Sequence, residues 1–342
     1  MTEATAGELP EHRRVLYLDG WRGLAILAVI VAHYGTTKGL NLGRFGVEMF
    51  FVLSGRLMAE ILFVRATDLP TFFVRRISRV WPALFVFVTV CLVASLAFGI
   101  GDVGWAHWLA AVTFTTNYQY LFGINSGWLN HTWSLCVEEH TYLLLGLLAF
   151  VHRRRPLPII AVLAGIAFAM MLNGLIQTLA GLDYYQVYWR SDVRAASILM
   201  GAAAYLLLRD RPCPPWVPLV FGLVAVILNY NAVPDPVKYT IGSACLAVCI
   251  VLMPRTYRGV LGFLSSRPAL FIGAISYSLY LWQQPFWKIR IGSGVFGLVC
   301  HLSLLAVAVS AAYLSYRLVE GPARAGVNRL WHQFSVRHRS AA

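Results

Sequence analysis

The residues of this chain that could do chemistry lie inside long apolar runs, where ionised groups are costly. Asp19, Arg22 and His33 punctuate the first such run, with ten uninterrupted apolar residues from Gly23 to Ala32. Arg22 and His33 are eleven positions apart, close to three helical turns. A helix therefore places them on one face, roughly 16 Å apart along its axis. An imidazole can take a proton from an attacking hydroxyl or carry an acyl group briefly, and a guanidinium grips paired oxygens of phosphate or carboxylate. An ionisable group at such depth costs at least about 2.5 kcal/mol unless it faces protein or a water-filled cavity. The plainer alternative has equal weight from spacing alone: Asp19 and Arg22 as boundary residues and His33 as an outer helix cap.

Further polar residues shift that balance. Glu48 opens a second run, GRFGVEMFFVLSGRLM, which carries Ser54 and Arg56 near its middle. Arg56 is too deep to snorkel and reads as the buried partner of a carboxylate rather than as a catalyst. The stretch HTWSLCVEEHTYLLL holds Trp133, Ser134, Glu138 and Glu139. Adjacent helical positions point about 100° apart, so the two acids are no glycosidase-like pair. One can face a cavity while its neighbour pairs with Arg or His. Arg75, Arg76 and Arg79 precede the third run and suit phosphate, although topology signals alone account for about two of the three.

Helices in a bilayer are what must position these groups. The chain has 342 residues, 58% hydrophobic and 13% charged, whereas soluble domains carry about 25% charged residues. A helical span needs about 20 mostly apolar residues. Ten candidates fit: 15–34, 45–64, 80–100, 134–151, 157–177, 194–208, 216–232, 237–253, 269–287 and 294–316. With a cytoplasmic N-terminus, the inner segments hold Arg13, Arg14 and Arg22, then Arg65, Arg75, Arg76 and Arg79. Arg153 to Arg155, Arg209, Arg211, Arg255, Arg258 and Arg267 follow, and the tail adds Arg317, Arg324, Arg329, Arg337 and Arg339. That is 20 of the 28 basic residues, the bias expected of cytoplasmic loops, and it puts both termini inside. The formal charge of +13 thus reads as topology and headgroup contact, not as a nucleic-acid surface.

Residues 101–133 break the pattern. Trp105 to Phe114 is apolar but too short to cross, and TTNYQYLFGINSGWLNHTW is rich in turn and aromatic residues. An interfacial or re-entrant segment on the outer side fits, since irregular backbone at depth must line protein or a cavity. Five of the six cysteines lie in apolar runs and Cys213 in a Pro-rich loop, with no metal-ligand spacing. His12 to Arg14 ahead of an apolar run superficially resemble a secretory signal, but Asp19 and Arg22 interrupt it and His33 stands where small residues belong. The expectation is an all-α integral membrane protein of about ten transmembrane helices plus that segment. Residues 1–320 form one membrane domain and 321–342 a short basic cytoplasmic tail.

In order along the chain, six segments resemble the bacterial acyltransferase-3 family of membrane O-acyltransferases, which modify lipopolysaccharide, exopolysaccharide and peptidoglycan. YLDGWRGLAILAVIVAHYG is similar to the family's opening, an Arg, ten residues and a His, here Arg22 and His33. GVEMFFVLSG carries Glu48 and Ser54, and RRISRVWPA carries Arg76 and Arg79. HTWSLCVEEHTYLL matches the block of Trp133, Ser134, Glu138 and Glu139, and SYSLYLWQQPF and SYRLVEGP resemble the late segments. Three departures stand out. Arg56 occupies a position usually aromatic or aliphatic, Ala196 replaces a frequent acid after Asp192 and Arg194, and Gln283 stands where His is usual. An appended hydrolase-like domain is not expected.

The resemblance implies acetyl-CoA as acyl donor, arriving from the cytoplasm at the inner (plasma) membrane, and a saccharide or glycolipid hydroxyl as acceptor. Arg75, Arg76, Arg79 and Asp19 would serve the donor, with Arg22 toward its pantetheine or phosphate end. His33 would act as base or acyl carrier, with Glu138 or Glu139 orienting it or balancing its charged form. Glu48, Ser54, Trp133, Ser134, Asp192 and Arg194 would line the acceptor or support the site. A thioester is activated enough to need no metal. Two rivals stay open: an acyltransferase for a small molecule such as an antibiotic sugar, and a polytopic transporter or flippase. Oligomeric state has no signature in the sequence.

Overall fold

The computed structural model describes residues 15–35, 37–289, 291 and 294–339; Arg13 and Arg14 of the charge pattern lie outside them. Helices stand at all ten expected positions. They are α1 (Leu16–Tyr34), α2 (Leu42–Ala59), α3 (Leu69–Phe98), then after a short α4 (Trp105–Val112) come α5 (Trp133–Arg154), α6 (Ile159–Leu179) and α7 (Ser191–Leu208). The remainder comprises α8 (Val217–Leu228), α9 (Ser243–Leu252), α10 (Arg258–Leu264), α11 (Arg267–Lys288), α12 (Gly294–Ser315) and α13 (Gly321–Arg339). No strand forms among the described residues; one isolated antiparallel bridge joins Leu40 to Tyr230.

Seven of these helices are long and apolar enough to cross a membrane, and the α10–α11 pair, bent by 47°, makes an eighth. Neither α2 nor α8 reaches that standard. Arg44, Glu48 and Arg56 interrupt the first, and the second is only 12 residues long. The polar α2 packs instead against α1, α7 and α9 and is buried along most of its length.

One boundary differs from the sequence reading. The third helix begins at Leu69 rather than near 80, because Asp68 caps it by accepting from the Thr71 amide at 3.0 Å and Pro70 starts its first turn. Arg75, Arg76 and Arg79 are therefore helical; Arg75 is exposed and the other two are partly buried. The tail is also ordered: α13 continues α12 through a π-helical turn at Tyr316–Glu320 and lies back along α3. Trp331 Nε1 donates to Thr71 Oγ1 there at 2.8 Å. Residues 101–133 form α4 and short helical turns pinned to the C-terminal half of α3, with Trp108 Nε1 donating to Thr89 Oγ1 at 3.0 Å.

The helices that carry the polar residues approach one another through glycine. A Cβ on Gly55 of α2 would overlap the Ile198 carbonyl of α7, and one on Gly273 of α11 would overlap the Asp19 carbonyl of α1. Such backbone-to-backbone approach is how membrane helices gain packing energy where lipid and leucine are equally apolar. Gly55→Ala should therefore lower the thermal stability of the detergent-solubilised protein by about 1–3 kcal/mol, the usual range for an overpacked site. Gly165→Ala, where nothing lies within 4 Å, should leave it unchanged or slightly raised. Equal melting curves for the Gly55 variant and the wild type would show that this crossing is loose.

Candidate active site

Two cavities meet inside the bundle. The inner one, about 70 Å³, is lined by Arg22 of α1, Ser54 of α2, Arg76 and Arg79 of α3, Ser134 and Glu138 of α5, and Tyr277 and Tyr280 of α11. Arg76 is fixed there by α5. Its Nη2 donates to Glu138 Oε2 at 2.8 Å and its Nε to Glu139 Oε1 at 3.0 Å, while its guanidinium lies 4.0 Å from the centre of the Tyr142 ring. Glu138 also accepts from Tyr142 Oη at 2.9 Å and from Ser54 Oγ at 2.8 Å. Arg22 Nη1 donates to Asp19 Oδ1 at 2.9 Å. Arg79 faces the same cavity and, among the described residues, forms no ion pair.

The outer cavity, about 610 Å³, holds His33, His131, Trp133, Trp287 and Lys288. Val47 and Tyr280 line both cavities. Tyr280 Oη donates to the His131 carbonyl at 2.8 Å and lies 2.8 Å from Ser134 Oγ, so it marks the partition between the two. Arg22 and His33 face different cavities, one on each side of it, as eleven residues of unbroken α1 require.

The partner of His33 is not an acid. Its Nδ1 lies 2.6 Å from Gln283 Oε1, and its ring stacks on Trp287 with centroids 4.2 Å apart. Gln283 Nε2 is turned to the Tyr280 carbonyl at 3.4 Å, which leaves Oε1 as the acceptor and puts the proton on Nδ1. The carboxylate support expected from Glu138 or Glu139 is thus replaced, because both acids are drawn to Arg76. Gln283 was visible in the sequence only as a departure from a family pattern. The better signal was periodic: Ser276, Tyr280, Gln283 or Gln284, and Trp287 recur at helical spacing within an apolar span.

The remaining sequence candidates separate. Arg75 is exposed, one helical step away from Arg76 and outside the cavity. Glu48 and Arg194 form a buried ion pair joining α2 to α7. Ser197 and Ser243 donate to Glu48 at 3.2 and 2.6 Å, and Arg194 lies 3.8 Å from the Tyr239 ring. Asp192 turns away from this pair to Arg190 at 2.7 Å and Asn173 at 3.1 Å, partly exposed. Arg56 pairs with Glu60, as its depth required. No cluster of three or more potential metal ligands forms among the described residues.

The sequence profile of a family described as an acyltransferase domain matches residues 15–317. The chain belongs to the acyltransferase-3 family. Among curated proteins it is similar to the peptidoglycan O-acetyltransferase OatA of Listeria monocytogenes, 29% identical over 90% of this chain and 55% of that protein. The putative peptidoglycan O-acetyltransferase YrhL of Bacillus subtilis is 29% identical over 92% and 55%. The O-acetyltransferase OatA of Staphylococcus aureus is 29% identical over 90% and 57%. This family member thus spans a little over half the length of the curated relatives it matches. No solved structure matches it. With the matched family and the helices above, it is an all-α, multi-pass membrane protein.

The geometry divides the candidates into structural and cavity-facing groups, and that division is measurable. Glu48→Ala strands a buried guanidinium and should cost about 3–5 kcal/mol of stability. Asp192→Ala removes a partly exposed pair and should cost about 1 kcal/mol or less. Both are read by thermal unfolding in one detergent, and similar losses would place Asp192 in the buried network after all.

Proposed function

We propose that this chain is a membrane O-acyltransferase that moves an acyl group, acetyl in the first instance, from acyl-CoA to a hydroxyl of a saccharide or glycolipid. The observation that carries the reading is the pair of cavities meeting at Tyr280, an arginine-lined one beside a large aromatic one that contains His33. Ligand pockets usually run about 300–1,000 Å³. The outer cavity falls in that range and suits a sugar, whereas the inner one admits only a slender thioester arm. Arg22 and Arg79 would meet the donor's anionic part as it enters from the cytoplasmic side, with the nucleotide held outside. Arg76, already occupied by two acids, would shape the wall instead. Residues 1–320 would form the catalytic domain, and the names of the curated relatives support a saccharide acceptor.

His33 would be the base. With Nδ1 bonded to Gln283, Nε2 keeps its lone pair and can take the acceptor's proton as the hydroxyl oxygen attacks the thioester carbonyl. The C–S bond then breaks, and the thiolate leaves with the proton that His33 returns. Gln283 would be a positioning residue, since it acts only through the imidazole. Trp133, Trp189 and Trp287 offer faces for sugar C–H groups.

His33→Ala should lower kcat by about 10²–10⁴-fold while the protein still inserts. Gln283→Ala should lower kcat on the order of 100-fold by freeing the ring, with the donor KM unchanged and the pH–rate profile displaced. Wild-type turnover in the His33 variant would remove that residue from the chemistry. The two-sided reading is tested with sealed proteoliposomes of one orientation, loaded with acetyl-CoA and given an oligosaccharide outside. Acetylation of the outer sugar is expected, and its failure there despite success in opened vesicles would place donor and acceptor on one side. A transporter would move the sugar without acetylating it.

A further inference from the structure

We infer that the outer cavity is built for an acceptor bearing a negative charge, either a carboxylate on the sugar or a phosphate attached to it. This rests on the reading of that cavity as the acceptor site. Among the described residues no Asp or Glu lines it, while Arg44 and Lys288 both do. Lys288 Nζ donates to the Gly127 carbonyl at 2.6 Å and forms no ion pair among the described residues; the Asp102 carboxylate acts on its charge only from beyond ion-pair distance. Arg44 stands over the Tyr184 ring at 4.1 Å and reaches Asp235 only at 3.7 Å. Asp235 in turn is held by Lys238 at 3.0 Å, so one acid serves two cations and a positive charge remains.

The neutral polar groups of the cavity point the same way, toward a hydroxylated ligand. Asn125, Asn130, His131, Asn231 and Gln284 all line it. Amide and imidazole side chains offer both donors and acceptors, and a cavity lined by several suits groups that do the same. Sugar hydroxyls do both. The two cations then discriminate among sugars, because an anion brought into a cavity with unneutralised positive charge gains charge-assisted hydrogen bonds that its neutral counterpart lacks.

The test measures binding, independent of turnover, by saturation-transfer NMR on the full chain in detergent. One pair of probes is a glucuronic acid–N-acetylglucosamine disaccharide and the same disaccharide after carboxyl reduction. The other is N-acetylglucosamine 1-phosphate and N-acetylglucosamine. In at least one pair the anionic member should bind about tenfold tighter or more, and the pair that shows the gap identifies the source of the charge. Lys288→Gln and Arg44→Gln should each narrow that gap while leaving the neutral sugar's Kd in place. Equal Kd values within both pairs overturn the charge inference alone. A gap that survives both substitutions overturns its assignment to these residues. Failure of all four probes to bind overturns it together with the saccharide reading beneath it.

Discussion

One guanidinium between two carboxylates sets the geometry on which the rest of the inner cavity depends. Arg76 reaches from α3 to Glu138 and Glu139 on α5, adjacent residues that a helix would otherwise splay apart. Bringing three charges out of water is costly, and their mutual attraction offsets that cost only where the other lone pairs are satisfied. Tyr142 and Ser54 supply those bonds to Glu138, and the Tyr142 ring lies against the cation. The return on such a cluster is registry rather than stability. It holds α3 and α5 in one relative rotation, and that rotation is what turns Arg79 into the cavity and Arg75 out of it.

Farther along α2 the Glu48–Arg194 pair does the same for α2, α7 and α9, with Ser197 and Ser243 completing the carboxylate's bonds. Both clusters depend on close helix crossings. Gly55 lets α2 and α7 touch through their backbones, and the side chains flanking it are then near enough to pair. Charges that make α2 a poor membrane span by composition are thus its means of staying inside the protein. The energetic logic is consistent: a polar helix is tolerable in a bilayer when other helices, not lipid, surround it.

Much of this was legible in one sequence, for physical reasons. Bilayer thickness imposes a length on apolar runs, so helices stand at all ten positions, although only seven or eight are long and apolar enough to cross a membrane. Helical period alone put Arg22 and His33 on one face of α1. The charge of Arg76 with Glu138 and Glu139 at depth announced that partners must exist. What could not be read was which partner each would choose. Gln283 is 250 positions from His33, and an amide carries no charge to announce itself. The start of α3 was misplaced although Asp68 and Pro70 mark it, because the apolar signal that defines spans begins a turn or more after the helix does. Arg75 was grouped with its neighbours by proximity along the chain, which a helix converts into a difference of direction.

The amide beside His33 bears directly on the proposed chemistry. In a layer of low dielectric, a carboxylate at that position would favour the imidazolium and so withdraw the base. Gln283 Oε1 offers an acceptor without the charge, and it fixes which nitrogen holds the proton. A histidine, the residue usual there in the family pattern, can also accept that proton through a ring nitrogen, so the departure keeps the function while changing the side chain. The acids are meanwhile kept one cavity away by Arg76, which offsets one of their two charges where they would otherwise repel the proposed anionic donor more strongly. The two arrangements are complementary. One gives the proposed base an uncharged partner beside the proposed acceptor site, and the other leaves Arg22 and Arg79 facing the proposed donor site.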